Sequence, residues 1–387
     1  MKKLFFTIIS ISLVFMALPI PSKLSPQAQI SVITILPGNE LYSKFGHSAI
    51  RIKDTKNKID WVFNYGTFDF NTPNFYLKFV KGKLNYMLSI QPFYSFYNEY
   101  YYEQRTTYEQ ILNLTEFQKQ KIYNYLLWNS QPQNRYYLYD FLYDNCATRI
   151  RDVLLQHLGD SLIITNKELN TTFRKELKRY VHNPWLWFGM DLLLGPIADT
   201  KLDTYTSMFL PDYVAGALSK AMIITKEGKK TPLVSKERFI FKFEKKKKSA
   251  TWWYSPALIF SVLLVLILLT SIKEFKQVKR HKWIDFLLFF ITGLIGLILL
   301  SLWIFTDHQV IYNNLNIAWA LPFNIWFAFA SVKKKLGKIA ILYAKLGRFY
   351  YLMLILFYPL LPQALSFAII PILGIILFRL ALIWKIG

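Results

Sequence analysis

The feature that most constrains this chain is a series of long apolar runs confined to its last third. Four of them, at residues 252–272, 283–305, 339–361 and 365–384, are long enough, or nearly so, to cross a hydrocarbon layer of about 30 Å. A fifth, at 317–332, is short and contains Pro322, which predicts a kinked or tilted helix. Residues 251–387 are therefore predicted to form an all-α transmembrane bundle of about five helices.

Charges in the connectors predict the orientation of this bundle. Lysine and arginine are frequent in 273–282 and 333–348 but absent from 306–316 and 359–364. Because positively charged connectors stay in the cytoplasm, the other two connectors should lie outside.

The first residues give a second topological signal. Residues 1–28 combine Lys2 and Lys3 with an apolar run and the small residue Ala28, which predicts a signal peptide cleaved at Ala28. An uncleaved anchor is the alternative. Either way, residues 29–250 would lie in the periplasm, and the protein would be a multi-pass protein of the bacterial inner membrane.

The formal net charge of +23 could suggest a nucleic-acid partner. However, the lysines and arginines cluster beside the apolar runs, as topology rules require of a membrane protein. We therefore exclude nucleic acid as a partner and expect the charge to contact anionic lipid headgroups.

The periplasmic region is predicted to be an α+β domain, with strands first and helices after. The β-branched run 30–36 indicates a strand, and segments 48–53 and 61–65 indicate a β-hairpin. Residues 116–128 have helical spacing after the N-cap candidate Thr115. A second helix should run from Cys146 to about Leu158, with Asp144 or Asn145 as its N-cap.

Cys146 is the only cysteine of the chain, so it has no intramolecular disulfide partner. In the first turn of a helix, the partial positive charge should lower the pKa of its thiol. The free backbone N–H groups of that turn could also bind an oxyanion. A catalytic nucleophile and an inert buried cysteine are both compatible with this position.

His47 is the histidine best placed to act as the base that a thiol nucleophile needs. It begins a predicted strand, although a structural role is common for a lone histidine. If Asp54 faces Ile59 in the hairpin, His47 and Asn64 become diagonal neighbours on one face, and Asn64 could orient the imidazole. Asp60 and Asp69 are the alternatives.

No set of cysteines and histidines has metal-ligand spacing, so no metal and no cofactor are predicted. His308 lies in a short polar outer connector that also contains Asn314. This connector is either a solvated loop, a headgroup-binding site or a part of the active site.

Several segments resemble a known family. A histidine on a strand followed by a cysteine at a helix start resembles the permuted papain-like (NlpC-type) thiol domain. More specifically, four segments are similar to the periplasmic domain of bacterial lipoprotein N-acyltransferases of the Lnb type: 37–43 (PGNELYS), 45–51 (FGHSAIR), 63–70 (FNYGTFDF) and 144–149 (DNCATR). Segments 306–308 (TDH) and 314–322 (NLNIAWALP) resemble that family's membrane part.

The resemblance implies a thiol-dependent acyltransferase with two lipid substrates. Cys146 would take an acyl chain from a membrane phospholipid as a thioester, and the α-amine of a diacylglyceryl-cysteine lipoprotein would accept it. His47 would be the base, with Asn64 orienting it. Five further residues would bind substrate: Tyr42, Asp144, Arg149, His308 and Asn314.

Two other functions remain open from the sequence. One is a membrane-tethered papain-like cysteine hydrolase that cleaves cell-wall peptides with the same Cys/His pair. The other is a non-catalytic lipid-binding module.

Overall fold

The computed structural model describes residues 21–225, 227–244 and 252–386. Most of the predicted leader, residues 1–20, lies outside the described residues. The described chain forms an α+β domain followed by a helical bundle, as predicted.

A seven-stranded sheet is the centre of the periplasmic domain, with strand order β12-β5-β1-β2-β3-β4-β6 and antiparallel neighbours. Its strands are β1 (Gln29–Ile35), β2 (His47–Asp54), β3 (Ile59–Thr67), β4 (Asn85–Pro92), β5 (Thr107–Leu112), β6 (Tyr136–Leu138) and β12 (Val234–Phe241). The smaller sheets contain β7 (Leu162–Ile163), β8 (Glu168–Thr172), β9 (Lys201–Asp203), β10 (Met222–Ile224) and β11 (Lys230–Pro232). The helices of this domain are α1 (Phe75–Val80), α2 (Phe93–Tyr102), α3 (Glu116–Asn129), α4 (Cys146–Leu158), α5 (Phe173–Tyr180), α6 (Pro184–Leu193), α7 (Thr204–Ser207) and α8 (Pro211–Lys220).

The hairpin of β2 and β3 has the register predicted from the sequence. Ile50 pairs with Phe63 and Asp54 pairs with Ile59. Since side chains alternate across a strand, Ile50 and Phe63 belong to the main core, which also includes α3 and α4. Ala49 lies on the opposite face, where α2 covers it.

Helices α3 and α4 begin where the capping residues predict. Thr115 caps α3 through a capping box with Gln118. Asn145, one of the two candidates, caps α4, and Cys146 is its first residue. The buried stripe of α4 contains Ile150, Val153 and Leu154, which pack on the sheet.

The bundle has four helices that are long and apolar enough to span a membrane: α9 (Pro256–Gln277), α10 (Lys282–Phe305), α13 (Lys338–Phe357) and α14 (Ile369–Ile386). The short fifth run is broken into α11 (Asn316–Trp319) and α12 (Asn324–Ser331), with Pro322 between them. The prediction of about five helices is roughly consistent with this arrangement, although the fifth run, predicted as a kinked or tilted helix, forms two short helices.

The broken fifth segment packs closely on α10 because α10 has glycines at the contact. A Cβ at Gly296 would lie 1.7 Å from the carbonyl oxygen of Ala320, and one at Gly293 would lie 2.3 Å from the backbone nitrogen of Ile325. Small residues are what allow such close backbone approach between membrane helices.

The outer connectors of the bundle contact the periplasmic domain. Gly195 donates a backbone hydrogen bond to Val310 (2.7 Å), and Gln363 donates to the carbonyl oxygen of Leu194 (2.9 Å). At the opposite end of the bundle, Lys282 donates to the carbonyl oxygen of Lys333. The connectors that lack positive charge are therefore the ones on the periplasmic side.

Residues 21–28 are part of the folded domain, although we predicted a leader that ends at Ala28. Ala28 is buried, and Ser25 donates hydrogen bonds from its backbone and hydroxyl groups to Asp54 (2.7 and 2.6 Å). Tyr123 donates to the carbonyl oxygen of Pro21 (2.8 Å). Cleavage at Ala28 would remove these contacts.

Candidate active site

The start of α4 holds Cys146 in a fixed position. The side-chain oxygen of Asn145 accepts hydrogen bonds from the backbone N–H groups of Ala147 (2.8 Å) and Thr148 (3.0 Å). Its amide nitrogen donates to the carbonyl oxygens of Phe141 and Phe209. The cap therefore ties the first turn of α4 to two other segments and uses two of the N–H groups that we expected to be free.

The thiol of Cys146 faces the first residues of β2. Pairing between β2 and β3 begins at Ile50 and Phe63, so the preceding residues of β2 are not paired with β3. The backbone N–H of Ser48 acts to lower the pKa of the thiol, as do the N–H groups of Cys146 and Ala147. His47 directly precedes Ser48, so the strand places His47 next to a residue whose backbone acts on the thiol.

His47 and Asn64 are in contact, as the hairpin register predicted. The Nε2 atom of His47 lies 2.5 Å from Oδ1 of Asn64. Because an amide oxygen only accepts, Nε2 carries the proton, and the lone pair of the ring is on Nδ1. The ring of Tyr100 stacks on the imidazole, with 6.2 Å between ring centroids.

Both reactive groups are neutral at rest. Burial lowers the pKa of His47 to about 4, and the hydrogen bond that His47 donates to Asn64 only partly offsets this effect. Burial also raises the pKa of Cys146 to about 11, against the opposing effect of the surrounding N–H groups. Our expectation of a lowered thiol pKa was therefore wrong, because desolvation outweighs the helix start.

No hydrogen bond joins the sulfur of Cys146 to the imidazole of His47 in the described part of the chain. Catalytic hydrogen bonds are often long before substrate binds and become shorter in the substrate complex. The arrangement therefore offers an un-ionised thiol and a neutral base on neighbouring elements.

Tyrosine rings and a glycine complete the surroundings of the thiol. A Cβ built on Gly66 would lie 3.8 Å from Cβ of Cys146, 3.7 Å from the ring of Tyr139 and 3.9 Å from the hydroxyl of Tyr137. Gly66 has a φ of +91°, a conformation that L-residues rarely adopt. The hydroxyl of Tyr137 is buried and has no hydrogen-bond partner in the described residues.

Sequence reasoning did not find Tyr137, Tyr139 or Arg105. Tyr137 belongs to β6, a three-residue strand that has no clear sequence pattern, and Tyr139 follows that strand directly. Arg105 is buried, and its positive charge lowers the pKa values of both His47 and Cys146. In the sequence, only the alternation of tyrosines before α4 could have indicated that Tyr137 and Tyr139 lie near Cys146.

Asp144 and Arg149 form an ion pair beside this site. Arg149 donates to both carboxylate oxygens of Asp144, one of them at 2.6 Å. The guanidinium also lies 4.1 Å from the ring centroid of Tyr137. These two residues thus support the wall of the site, and their predicted role in substrate binding stays a prediction.

The other predicted substrate residues lie at different places. Tyr42 is exposed, and its hydroxyl lies 3.3 Å from Glu103. Asn314 is buried at the junction of domain and bundle, where it donates to the carbonyl oxygen of Leu192 (2.8 Å). Its side-chain oxygen accepts from Asn316 and Gln363, so the amide is engaged within the protein.

His308 connects the bundle to α1. Its Nε2 atom donates to the carbonyl oxygen of Phe79 (3.1 Å). The alternative orienting residues also have other partners: Asp60 pairs with Arg51, and Asp69 accepts from the backbone of Asn71. Of the candidates, only Asn64 contacts the imidazole of His47 among the described residues.

These features define a class: a multi-pass inner-membrane protein with a periplasmic α+β domain that holds a cysteine at a helix start beside a strand histidine. Two family models match the chain, the Lnb N-terminal periplasmic domain at residues 22–179 and the Lnb transmembrane domain at residues 247–386. Together they cover most of the sequence, and the protein belongs to the Lnb family. No curated protein and no solved structure matches the chain.

Proposed function

We propose that this chain is a lipoprotein N-acyltransferase that moves an acyl chain from a membrane phospholipid to the α-amine of a diacylglyceryl-cysteine lipoprotein. Its family and its periplasmic location support a reaction between two lipids at the outer face of the inner membrane. The observation that carries the proposal is the contact of His47 with Asn64 beside the thiol of Cys146.

In the first step, Nδ1 of His47 takes the proton of the Cys146 thiol while the sulfur attacks the ester carbonyl of the phospholipid. The large difference between the two pKa values opposes an ion pair at rest, so the proton moves as the S–C bond forms. The C–O bond then breaks, and the lysophospholipid alkoxide takes the proton from the imidazolium. A thioester on Cys146 remains.

In the second step, the lipoprotein amine attacks the thioester carbonyl and gives a proton to His47. The C–S bond breaks, and the leaving sulfur recovers that proton. Both steps form an oxyanion, for which the N–H groups of Cys146 and Ser48 are available donors. The unpartnered hydroxyl of Tyr137 is a third donor in the same place.

The test is mass spectrometry of lipoprotein N-termini from cells that contain the wild-type protein, no protein, or Cys146→Ser. We expect N-acylation only with the wild-type chain. His47→Gln should lose activity as well, while His157→Gln should retain it, because the ring nitrogens of His157, in the same domain, have no hydrogen-bond partner among the described residues. Unchanged N-acylation without the protein would refute the proposal.

The cysteine-hydrolase alternative makes a different prediction. It expects cleaved cell-wall peptides and no difference in lipoprotein N-termini, with water instead of an amine as acceptor. A lipid-binding module, in contrast, would keep its function in Cys146→Ser.

A further inference from the structure

An apolar segment of the periplasmic domain lies against the bundle, and none of the residues that the structure describes covers it. We call residues 68–83, which include α1, the interfacial segment. Five of the six residues of α1 are apolar or aromatic, and none is buried. Tyr76, Leu77, Phe79 and Val80 are all among the exposed large side chains. A contiguous patch of this kind on a folded domain indicates a contact with something apolar.

The position of the interfacial segment indicates what covers it. The backbone N–H of Asp307 donates to the carbonyl oxygen of Lys81 (3.0 Å), and His308 donates to that of Phe79. Asp307 follows the outer end of α10, whose last residues Ile304 and Phe305 are equally exposed. Since exposed apolar residues at that end of α10 face lipid, those of α1 reach the same layer.

Charges beside α1 fit a phospholipid headgroup. A cavity of about 220 Å³ lies under the segment, with Lys78, Lys83 and Asp69 among its lining residues. Two ammonium groups and one carboxylate can bind a phosphodiester that carries an amine. Lys83 also lies 3.8 Å from Asp307, so one lining residue of the cavity contacts the bundle.

A row of aromatic rings leads from the interfacial segment to the thiol. Phe68 contacts Phe75 (5.6 Å between centroids) and Tyr86 (5.2 Å), and Tyr86 contacts Tyr139 (4.6 Å). Tyr139 is one of the rings beside Gly66 and Cys146. An apolar wall therefore continues from the membrane side of the domain to the nucleophile.

We propose that the interfacial segment inserts into the outer leaflet and is the route by which a phospholipid donor reaches Cys146. The headgroup binds in the cavity of Lys78, Lys83 and Asp69, and the acyl ester follows the aromatic row. The inference deepens the proposed function and rests on it for the identity of the donor. Membrane insertion itself does not depend on catalysis.

The first experiment measures how deeply the interfacial segment enters the bilayer, in the full-length protein reconstituted in phosphatidylethanolamine vesicles. Because Cys146 is the only cysteine, a Cys146→Ser background allows a nitroxide to be placed at Leu77→Cys or, as a control, at Phe117→Cys. Phe117 is exposed on α3, which packs on residues 21–28. The label at 77 should collide with oxygen more than with a water-soluble nickel chelate, and the label at 117 should do the reverse. Equal nickel accessibility at both positions would overturn insertion.

The second experiment measures the thioester on Cys146 by intact mass in otherwise wild-type protein. Leu77→Glu combined with Val80→Glu should form it at least tenfold more slowly from phospholipid vesicles, but within twofold of wild type from a soluble short-chain ester. Phe117→Glu is the matched control and should match wild type with both donors. Wild-type rates from vesicles in the double variant, or an equal loss with both donors, would overturn the access route.

A third experiment tests the headgroup site by comparing a lipid that has a phosphate headgroup with one that lacks it. Lys78→Gln should slow thioester formation from phosphatidylethanolamine several-fold and leave the rate from diacylglycerol unchanged. An equal effect on the two lipids would overturn the headgroup site. If wild-type protein forms no thioester from any donor, the proposed function fails, and the depth measurement still decides whether the segment enters the bilayer.

Discussion

The periplasmic domain and the bundle bury opposite kinds of side chain. The domain packs Ile50, Phe63 and Ile150 inside and is covered mostly by polar residues. The bundle exposes Val265 and Leu269 and buries Arg379 and Asn324 completely. An exposed apolar side chain therefore has different meanings in this protein: on the bundle it marks the lipid, whereas on the domain only a cluster of such side chains, as in the interfacial segment, marks a site of contact.

The surroundings of Cys146 and the bundle also differ in how they bury ionisable groups. Around Cys146 the cost of burial is avoided, because the thiol and the imidazole stay neutral. In the bundle, Arg379 is paired with two fully buried carboxylates, Glu274 and Asp285, and its Nε atom lies 2.6 Å from Asp285. Around Cys146 the thiol keeps its proton and the imidazole lacks its second one, so neither is charged, whereas in the bundle opposite charges are paired.

The largest effect should be seen in the alkylation of Cys146 as a function of pH. With a pKa of about 11, only about one thiol in a thousand is ionised at pH 8. Because the thiolate is the nucleophile, the rate with iodoacetamide should rise about tenfold per pH unit up to about pH 11. The same cysteine in denatured protein is the control, with a midpoint near 8.5. A midpoint below 8 in the folded protein would show that the buried thiol is not neutral.

Removal of the buried arginine should be the most damaging change in the bundle. Arg379→Leu leaves Glu274 and Asp285 without their main partner, which should cost about 3–5 kcal/mol of stability. Lys385→Leu removes an exposed cation from the same helix and should have little effect. Thermal unfolding in detergent measures both. Equal stability of the two variants would mean that the ion cluster is not a structural requirement.

A lysine placed on an exposed apolar surface should cost much more stability in the bundle than in the periplasmic domain. Val265→Lys, in the middle of α9, should cost about 2.5–3.5 kcal/mol because the charge enters hydrocarbon. Phe117→Lys, on the periplasmic domain, should change stability by no more than about 0.5 kcal/mol. Unfolding of both variants in bicelles tests this difference. Similar costs would contradict the assignment of α9 to the lipid.

The smallest effect concerns the orientation of the base. Asn64→Ala removes the acceptor of the His47 Nε2 proton and should reduce thioester formation about tenfold, since the ring can then adopt unproductive orientations. Asn64→Gln should recover part of the rate. Ser89→Ala is the control, because Ser89 is the residue paired with Asn64 on β4. A wild-type rate in Asn64→Ala would show that the ring is positioned by Tyr100 alone.

Local rules were sufficient to predict much of this structure. The hydrophobic period and the capping residues predicted the start of α4. The hairpin register predicted the contact between His47 and Asn64. Both predictions succeeded because each feature depends on residues that are close in sequence. The pKa of Cys146 was not predictable, since it depends on burial by distant segments. The same holds for Tyr137, whose place beside the thiol follows from the pairing of β6 with β4.

The hydrogen bonds from Gly195 to Val310 and from Gln363 to Leu194 hold the periplasmic domain at a fixed height above the bundle. In the reaction proposed above, a domain held in this way would not reach into solution for its substrates. Donor and acceptor would then both arrive by lateral diffusion in the same leaflet. The rate should consequently follow the mole fraction of each lipid in the membrane, and dilution of the whole suspension should leave it unchanged.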